Sequence, residues 1–347
     1  MPNIDKARLR RGVGVMESIR PQLIGASAPI RAIQKDIICA ARCDAKVLIT
    51  GESGVGKEVV ARLIHQSSER CDAPLMTINC AGLPESLLES ELFGHVRGSF
   101  TGAHRDKTGL LQMAAGGTLL MDEVGEMSLR MQALLLRFLE TGEIQKVGAE
   151  GVQARVDVRI IAATNQNLLE QIAAKCFRED LYYRLNVIHL MIAPLRERRE
   201  DIPLLAQHFL QMYSRTHGFE VPQLSAEVWD HLQGYDWPGN IRELRNLIER
   251  LVVRGSNGPI TLNDLPGELV QPAGGQGHPA PIRRVPPTDA MFERMTVGGE
   301  SFWEVVYVPF MLRDLTRDDL RSIIRRGLED ARGSYKLLVE LFNLGSQ

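Results

Sequence analysis

The sequence predicts an α/β fold in which a doubly wound parallel sheet is followed by a small helical subdomain and a short C-terminal helical segment. From Leu23 to Val187, short apolar runs alternate with helix-like segments. This alternation is typical of strands buried on both faces of a parallel sheet and joined by crossover helices. After Pro194 the strand-like runs cease and the helical periodicity continues, which predicts the second, helical part.

The predicted strands are short and mostly apolar, as buried strands are. They are Val47–Thr50, Leu75–Ile78, Thr118–Met121 and Val158–Ala163. Apolar residues at helical spacing predict helices, of which Glu58–Gln66 and Leu129–Glu140 lie between the strands. The later helices are predicted at Ile202–Thr216, Ala226–Gly234, Asn240–Arg254, Asp318–Ala331 and Ser334–Leu344.

These elements predict an order of domains along the chain. A segment rich in Gly and Pro at Gln271–Pro287 predicts a flexible linker before the last helices. The expected parts are a lead-in at 1–22, the α/β subdomain at 23–193, the helical subdomain at 194–268, the linker at 269–290 and the C-terminal segment at 291–347.

Composition excludes several classes of protein. The apolar fraction of 44% and the charged fraction of 24% are ordinary for a globular protein. No apolar run reaches the roughly 18 residues of a membrane span, and the basic N-terminus lacks the apolar centre of a signal peptide. We therefore expect a cytoplasmic protein with no membrane partner. The 5 cysteines show no CxxC spacing, which argues against a disulfide framework or a zinc site.

A phosphate-binding loop is predicted where the first strand meets the first crossover helix. Gly51-Glu-Ser-Gly-Val-Gly-Lys57 lies between them, so backbone N–H groups, Lys57 and the helix N-terminus all favour phosphate. Glu58 stands where this motif usually has a Ser or Thr ligand for magnesium, so a metal would depend more on phosphate oxygens, water and another carboxylate. The predicted ATP contacts are Gly51, Glu52, Ser53, Gly54, Val55, Gly56, Lys57 and Glu58.

Two adjacent acids supply that carboxylate. Asp122 and Glu123 end an apolar strand, at the edge of the sheet where α/β proteins bind ligands. We expect Asp122 to orient Mg²⁺ and Glu123 to act as general base on the attacking water. The alternative is an acidic N-cap for the next helix. Hydrolysis by water is the reaction that these acids favour.

Further motifs occur in order between Leu23 and Leu265. Together they closely resemble the AAA+ domain of bacterial sigma-54-dependent transcription activators. The resemblance includes the phosphate loop, the acidic pair, Asn79-Cys-Ala81, Glu91-Leu-Phe-Gly94, Gly98–Ala103, Ala163-Thr-Asn165, Phe177–Arg184 and Trp237–Leu244.

The resemblance implies roles around the nucleotide. Thr164 and Asn165 resemble sensor I, whose Asn contacts the water or the terminal phosphate. Arg242 resembles sensor II, which links a helical lid to the phosphates. Asn79 resembles the residue that holds the base, here Glu123, away from water in a non-productive state.

Two arginines resemble residues that act on a neighbouring subunit. The resemblance implies that Arg178 and Arg184 are arginine fingers, which stabilise charge on the transferring phosphoryl group. A site completed in this way implies a homo-oligomeric ring, with a hexamer expected. The alternative interpretation is a surface salt bridge with Glu179 or Asp180.

A glycine-flanked loop carries the resemblance to sigma-54 activators in particular. The family pattern is GAFTGA, and this chain has Ser99 in place of the first Ala. The resemblance implies contact with sigma-54, centred on Phe100 and Thr101, while the alternative is an ordinary surface turn. The predicted contact residues are Gly98, Ser99, Phe100, Thr101, Gly102 and Ala103.

The implied function is ATP-driven remodelling of the sigma-54 RNA polymerase closed complex to the open form. Two alternatives are an AAA+ remodelling ATPase of another class and a non-catalytic DNA-binding regulator. Only 22 residues precede the match, so we expect no N-terminal regulatory domain. The C-terminal segment is interpreted as a truncated helix-turn-helix or as a helical pair for partner contacts. Its charge of 7 Lys and Arg against 6 Asp and Glu over residues 311–347 leaves enhancer DNA an open partner.

Overall fold

The computed structural model describes residues 22–100, 103–254, 259–266, 287–296, 300–307, 317–331 and 334–343. The lead-in apart from Gln22, most of the predicted linker, and Thr101 and Gly102 of the predicted sigma-54 loop lie outside these residues. The chain divides into two compact units, Met1–Gln271 and Pro272–Gln347, and each is described by itself.

A five-stranded parallel sheet forms the centre of the first unit, with the strand order β2-β5-β8-β1-β9. All six residues of β8 are buried, because helices cover both faces of a parallel sheet. The predicted α/β class is confirmed. The strands of this sheet are β1 at Val47–Thr50, β2 at Leu75–Asn79, β5 at Thr118–Asp122, β8 at Arg159–Thr164 and β9 at Ile188–Met191.

Seven helices accompany the strands along the described part of this subdomain. Ser27 and Ser128 begin two of them, since each serine Oγ accepts a hydrogen bond from a backbone N–H three residues on. The helices are α1 at Ala28–Ala41, α2 at Lys57–Gln66, α3 at Glu85–Phe93, α4 at Leu110–Met113, α5 at Leu129–Thr141, α6 at Leu168–Ala173 and α7 at Glu179–Leu185.

Two short antiparallel ribbons stand apart from the main sheet. One joins β3 at Gly94–His95 to β4 at Lys107–Thr108, and the other joins β6 at Glu143–Ile144 to β7 at Ala154–Arg155. A parallel bridge between His95 and Val147 connects the two ribbons. The predicted sigma-54 loop lies between β3 and β4, and it is therefore held by the second ribbon as well as the first.

The helical subdomain follows β9 and consists of α8 at Ile202–His217, α9 at Ala226–Gly234 and α10 at Asn240–Arg254. Its core is apolar and includes Trp237, which is fully buried and donates from Nε1 to the carbonyl of Leu232 at 2.8 Å. A 3₁₀ turn at Leu195–Glu197 and another at Arg199–Asp201 connect β9 to α8. The lid is therefore attached beside the sheet edge that carries the phosphate loop.

The second unit contains helices at Pro287–Thr296, Arg317–Asp330 and Tyr335–Leu341, and a π-helical turn at Trp303–Tyr307. Their common core includes Phe292, Val306, Ile323, Leu338 and Phe342. The first helix overlaps the predicted linker at 287–290 because a proline is tolerated in the first turn of a helix. This helix and the π-helical turn were not predicted.

Candidate nucleotide site and its neighbouring loop

The phosphate loop occupies the predicted position, between the end of β1 at Thr50 and the start of α2 at Lys57. Gly54 has a backbone φ of +80°, and a Cβ atom there would collide with the carbonyl oxygen of Gly239 in the lid. Only glycine meets both conditions without strain. The loop conformation is therefore tied to close approach of the helical subdomain.

Lys57 lies almost fully buried beneath this loop, with 7% of its surface exposed. Its Nζ donates to the carbonyl oxygens of Gly51 at 2.9 Å and Glu52 at 3.3 Å. Burial lowers the pKa of the Lys57 ammonium, and the charges of Glu123 and Asp122 oppose that shift. The ammonium is thus placed by the backbone of the loop that it serves.

Asp122 ends β5 and Glu123 follows it, so the acidic pair lies at the end of a strand, as the sequence predicts. Glu123 has a left-handed backbone with φ 54°, a conformation that costs a non-glycine residue on the order of 1–3 kcal/mol. Its Oε1 lies 3.6 Å from Lys57 Nζ, and its Oε2 accepts a hydrogen bond from the backbone N–H of Asn165 at 3.0 Å. Burial, together with the charge of Glu123, raises the pKa of Asp122. Strained backbone beside a carboxyl group of raised pKa, here Asp122, is characteristic of a functional site.

Asn79 ends β2 directly opposite Asp122 in the sheet register. Its Oδ1 accepts hydrogen bonds from the backbone N–H groups of Ala81 at 2.9 Å and Gly82 at 3.1 Å. Across the described residues, no hydrogen bond joins Asn79 to Glu123. The implied role of Asn79 in holding the base remains a prediction, and in this conformation Lys57 and Asn165 contact Glu123 instead.

A cavity of ≈ 400 Å³ opens beside the phosphate loop. This volume lies within the range of small-molecule sites, roughly 300–1,000 Å³. Its lining combines charged side chains, which suit phosphates, with apolar ones, which suit a base. The charged residues include Lys57, Asp122, Glu123 and Arg242, and the other lining residues include Leu23, Ile24, Leu205, His208, Phe209 and Met212.

Arg242, whose role as sensor II stays a prediction, reaches the phosphate loop from α10. Its Nη1 donates to Ser53 Oγ at 2.8 Å. Two further residues on the lid side also contact the loop: Asn240 donates to Glu52 and Ser53, and Arg196 binds the carboxylate of Glu52. Sequence reasoning missed both. Asn240 lies inside the quoted Trp237–Leu244 motif, whereas Arg196 carries no distinguishing signal.

The two proposed finger arginines lie on α7 and at its start. Arg178 forms a bidentate pair with Asp180 at 3.0 and 2.7 Å, and Arg184 donates from Nη2 to the carbonyl of Leu139 at 3.4 Å. Neither arginine is among the described residues that line the cavity. The implied role of both residues as arginine fingers stays a prediction.

The loop after β3 exposes its aromatic residue. Phe100 is 42% exposed, and its ring lies edge-on to the ring of His95, with 5.0 Å between the centroids. The backbone N–H of Gly98 donates to the carbonyl of Ala103 at 2.9 Å, which closes the base of the loop.

Ser99 packs at the base of the same loop. Its Oγ is buried and has no hydrogen-bond partner among the described residues. A Cβ atom at Gly148 would lie 2.5 Å from Ser99 Cβ, and Gly148 itself has φ +77°. The ribbon β6–β7 thus approaches the loop through a glycine, and the serine hydroxyl is enclosed by that approach.

Three further observations on the described residues concern membrane spans, metal clusters and cysteines. They include no helix that is both long and apolar enough to span a bilayer. Within the same ranges, no cluster of three or more His, Cys, Asp or Glu side chains is arranged to hold a metal ion. The five cysteines are unpaired, and Cys80 is buried while the other four are exposed.

A glycine-rich loop between a parallel strand and a helix, an acidic pair on a neighbouring strand and a helical lid together define a P-loop nucleotide-binding protein. The chain belongs to the sigma-54 interaction domain family of AAA+ proteins. The model described as "Sigma-54 interaction domain" matches residues 23–191, and that described as "AAA+ ATPase lid domain" matches residues 196–281. The family prediction made from the ordered motifs is confirmed.

Individual relatives agree with this family. The chain is 51% identical over 252 residues to regulatory protein AtoC of Escherichia coli (strain K12), covering 72% of this chain and 54% of AtoC. It is 48% identical over 278 residues to nitrogen fixation protein VnfA of Azotobacter vinelandii, covering 80% and 53%. The chain therefore spans about half the length of these curated relatives.

A solved structure supports the fold. The crystal structure of NtrX from Brucella abortus in complex with ATP superposes with a TM-score of 0.68 at 32% identity. The match covers 92% of this chain and 72% of NtrX. The ATP in that complex is a ligand of NtrX.

Proposed function

We propose that this protein hydrolyses ATP and uses the reaction to remodel the sigma-54 RNA polymerase closed complex. One observation carries the proposal. Glu123 lies on strained backbone in the cavity, in contact with Lys57 and Asn165, and the same subdomain bears an exposed Phe100. The family match at residues 23–191 supports sigma-54 as the partner of that loop.

The charged residues of the cavity supply the groups that hydrolysis needs. The oxygen of a water molecule forms a bond to the γ-phosphorus while the bond from that phosphorus to the β–γ bridging oxygen breaks. ADP and phosphate leave, and Glu123 takes the proton of the water as general base. Lys57 stabilises negative charge on the phosphates, and the N–H groups of the loop add to this effect.

Mg²⁺ fits the carboxylates that line the cavity. Asp122 offers a carboxylate at the carboxyl end of β5, and carboxylate oxygen is a preferred ligand of this hard cation. Glu58 lines the cavity, although its carboxylate binds Arg62 at 2.7 Å. Asp122 would hold the ion, with phosphate oxygens and water as its other ligands. When bound, Mg²⁺ neutralises charge on the phosphates.

We propose that a neighbouring subunit completes the site, in a ring that is expected to be a hexamer. Arg178 and Arg184 are absent from the described lining of their own cavity, and the exposed side of α7 carries Arg184. An arginine supplied in trans stabilises the charge of the transferring phosphoryl group. The exposed Tyr183 on the same helix, 65% accessible, is the kind of aromatic residue that interfaces favour.

The reaction would move the loop that contains Phe100, between β3 and β4. Asn79 ends β2 beside the acidic pair, and the turn that it caps leads into α3 and then to β3 and Phe100. A change in the contacts of Glu123 therefore has a short route, along one continuous segment, to the loop base. The proposal implies that this protein contacts its partner in the cytoplasm, where transcription takes place in bacteria. Enhancer DNA as a partner of the C-terminal unit remains open.

A capture experiment tests the proposal. Purified full-length chain and purified sigma-54 are mixed with ADP and aluminium fluoride, which mimic the transition state of phosphoryl transfer. We expect a complex on size exclusion that needs the analogue and is lost in Phe100→Ala. Leu129→Ala, which removes an equally exposed apolar side chain outside the loop, should leave the complex intact. The proposal would be contradicted if no complex formed at any concentration, or if Phe100→Ala formed the complex as well as the wild type.

A further inference from the structure

We infer that Glu52, Arg196 and Asn240 form a clasp between the phosphate loop and the lid, and that Arg196 and Asn240 are positioning residues that set Arg242 against Ser53. The inference rests on the proposed ATPase function and deepens it. The clasp is named here for those three residues. Its members come from the phosphate loop, from the 3₁₀ turn that follows β9, and from the first residue of α10.

The pair between Arg196 and Glu52 has the geometry of a specific contact. Arg196 Nη1 donates to Glu52 Oε2 at 2.8 Å, and Nη2 donates to Oε1 at 2.6 Å. Two parallel charge-assisted hydrogen bonds fix orientation as well as distance. The side chains are 39% and 41% exposed, and an exposed ion pair adds little to stability. The pair therefore acts by fixing the geometry between the phosphate loop and the lid.

Asn240 connects three segments through one amide group. Its Nδ2 donates to Glu52 Oε2 at 3.0 Å and to the carbonyl of Ser53 at 3.1 Å, and its Oδ1 accepts from the N–H of Leu195 at 2.8 Å. The residue is fully buried and has a left-handed backbone, with φ 53°. Asparagine is among the few residues that tolerate this conformation. No other side chain of similar size offers both donors and an acceptor.

The same contacts lead directly to Arg242. Ser53 is held on both sides, because its carbonyl accepts from Asn240 and its hydroxyl accepts from Arg242 Nη1. Arg242 lies two residues after Asn240 on α10. A shift of Asn240 therefore moves Ser53 and the start of α10 together, and it changes where the guanidinium of Arg242 lies against the phosphate loop.

The chain offers a matched control for Arg196. Arg199 lies one turn further along the connection to the lid and forms the same kind of exposed ion pair, with Asp236. It also donates to the carbonyls of Gln233 and Gly234 and, from Nε at 3.3 Å, to the backbone carbonyl of Arg196. None of these described partners belongs to the phosphate loop. Loss of Arg199 therefore removes a comparable charge and a surface ion pair while the three side chains of the clasp keep their contacts with one another.

Steady-state ATP hydrolysis by the full chain tests the inference. Misplacing a group by about 1 Å can cost up to about 100-fold in rate, so we expect Arg196→Gln to lower kcat about tenfold. Arg199→Gln should stay within about twofold of wild type, since it leaves the phosphate loop alone. Arg196→Lys should recover little, because an ammonium keeps the charge but cannot bind both carboxylate oxygens.

A double-variant cycle separates positioning from general damage. If Arg196 acts through Arg242, adding Arg196→Gln to Arg242→Gln should lower kcat by no more than about twofold further. If the fold-loss of kcat in the double variant equals the product of the two single losses, the inference is overturned. Wild-type kcat in Arg196→Gln, or full recovery of kcat in Arg196→Lys, would also overturn it.

Amide hydrogen exchange tests the clasp without any turnover. Arg196→Gln should speed exchange in the peptide that covers the phosphate loop and in the one that covers the start of α10, and leave α9 unchanged. Arg199→Gln should not speed exchange in either of those two peptides. Unchanged exchange in Arg196→Gln overturns the clasp. Failure of the wild-type chain to hydrolyse ATP would instead contradict the proposed function, with the exchange result still deciding the clasp.

Discussion

Glu123 Oε2 accepts a hydrogen bond from the backbone N–H of Asn165 at 3.0 Å, so the proposed general base is held by the residue that follows β8 and is predicted to belong to sensor I. Its other carboxylate oxygen lies 3.6 Å from Lys57 Nζ. The base is therefore in contact with the residue after β8 and with the lysine of the phosphate loop at once. A change at the phosphates that moves Lys57 changes the contacts of Glu123, and this is the physical link between nucleotide and output in our account.

Glu123→Gln tests the assignment of the base. An amide cannot accept the proton of water, so we expect kcat to fall by about 10²–10⁴-fold, while ATP affinity stays within a few fold of wild type. Rates come from phosphate release and affinity from a fluorescent ATP analogue. Glu126→Gln is the control, since Glu126 lies in the adjacent 3₁₀ turn and binds Gln166. Equal turnover in Glu123→Gln and wild type would refute the assignment.

Mixing two inactive variants tests whether sites are completed in trans. Arg184→Ala protomers keep Glu123, and Glu123→Gln protomers keep Arg184. Where the two variants alternate in a ring, some sites combine the intact Glu123 of one protomer with the intact Arg184 of its neighbour. Loss of an arginine finger lowers the rate by about 10³–10⁵-fold. We therefore expect the mixture to hydrolyse ATP well above the sum of its parts. A mixture no more active than the separate variants would argue that Arg184 acts within its own chain or not at all.

Gly54→Ala tests the fit between the phosphate loop and the lid. The new Cβ would meet the carbonyl oxygen of Gly239, on a backbone whose φ of +80° already disfavours alanine. We expect nucleotide affinity to fall at least tenfold while the far-ultraviolet circular dichroism spectrum is retained. Gly218→Ala is a useful comparison, because its φ of +72° imposes similar backbone strain with open space around the Cβ. If both variants bind nucleotide normally, the close lid contact is not needed.

Ser99→Ala tests the packing of the loop base. The Ser99 hydroxyl is buried and has no hydrogen-bond partner in the part of the chain that the structure describes, and a buried unsatisfied polar group costs about 1–3 kcal/mol. Alanine should therefore slow amide exchange in the peptides around Val96 and Gly148. Ser90→Ala should do the opposite, since the buried Ser90 hydroxyl contacts His95 Nδ1 at 2.8 Å. Faster exchange in Ser99→Ala would mean that the hydroxyl has a partner that stabilises the loop.

The clasp should be insensitive to pH through the neutral range. Hydrogen bonds from Arg196, and then from Asn240, lower the pKa of Glu52 from 4.5 to about 2. For a carboxylate with a lowered pKa, the stabilisation is complete above 4.5 and is lost only as the pH falls toward 2. The ratio of kcat between wild type and Arg196→Gln should thus be constant from about pH 9 to about pH 5. A ratio that collapses between pH 8 and pH 6 would show that another group controls the contact.

Sequence reasoning located the local elements well. β1 has the predicted bounds, α9 and α10 also agree, and α2 begins one residue early at Lys57. These elements are decided by apolar periodicity and by glycine, which the sequence displays directly. The phosphate loop and acidic pair were found for the same reason, since each lies at a strand end.

The missed features depend on distant contacts. Arg196 lies in a charged run, and nothing in the sequence distinguishes it from its neighbours. It matters because folding places it beside Glu52. The π-helical turn at Trp303–Tyr307 likewise has no periodicity that differs from an α-helix. The contact expected between Asn79 and Glu123 is a property of one conformational state, and motif spacing carries no information about which state is populated.

Open-complex formation on a sigma-54 promoter, with purified full-length chain, sigma-54 RNA polymerase and ATP, tests the central claim most directly. We expect open complexes in the wild type and none in Glu123→Gln. Phe100→Ala should still hydrolyse ATP but form none, because its loop lacks the aromatic contact. Open complexes that form equally well with Phe100→Ala, or wild-type hydrolysis that never yields them, would contradict the account.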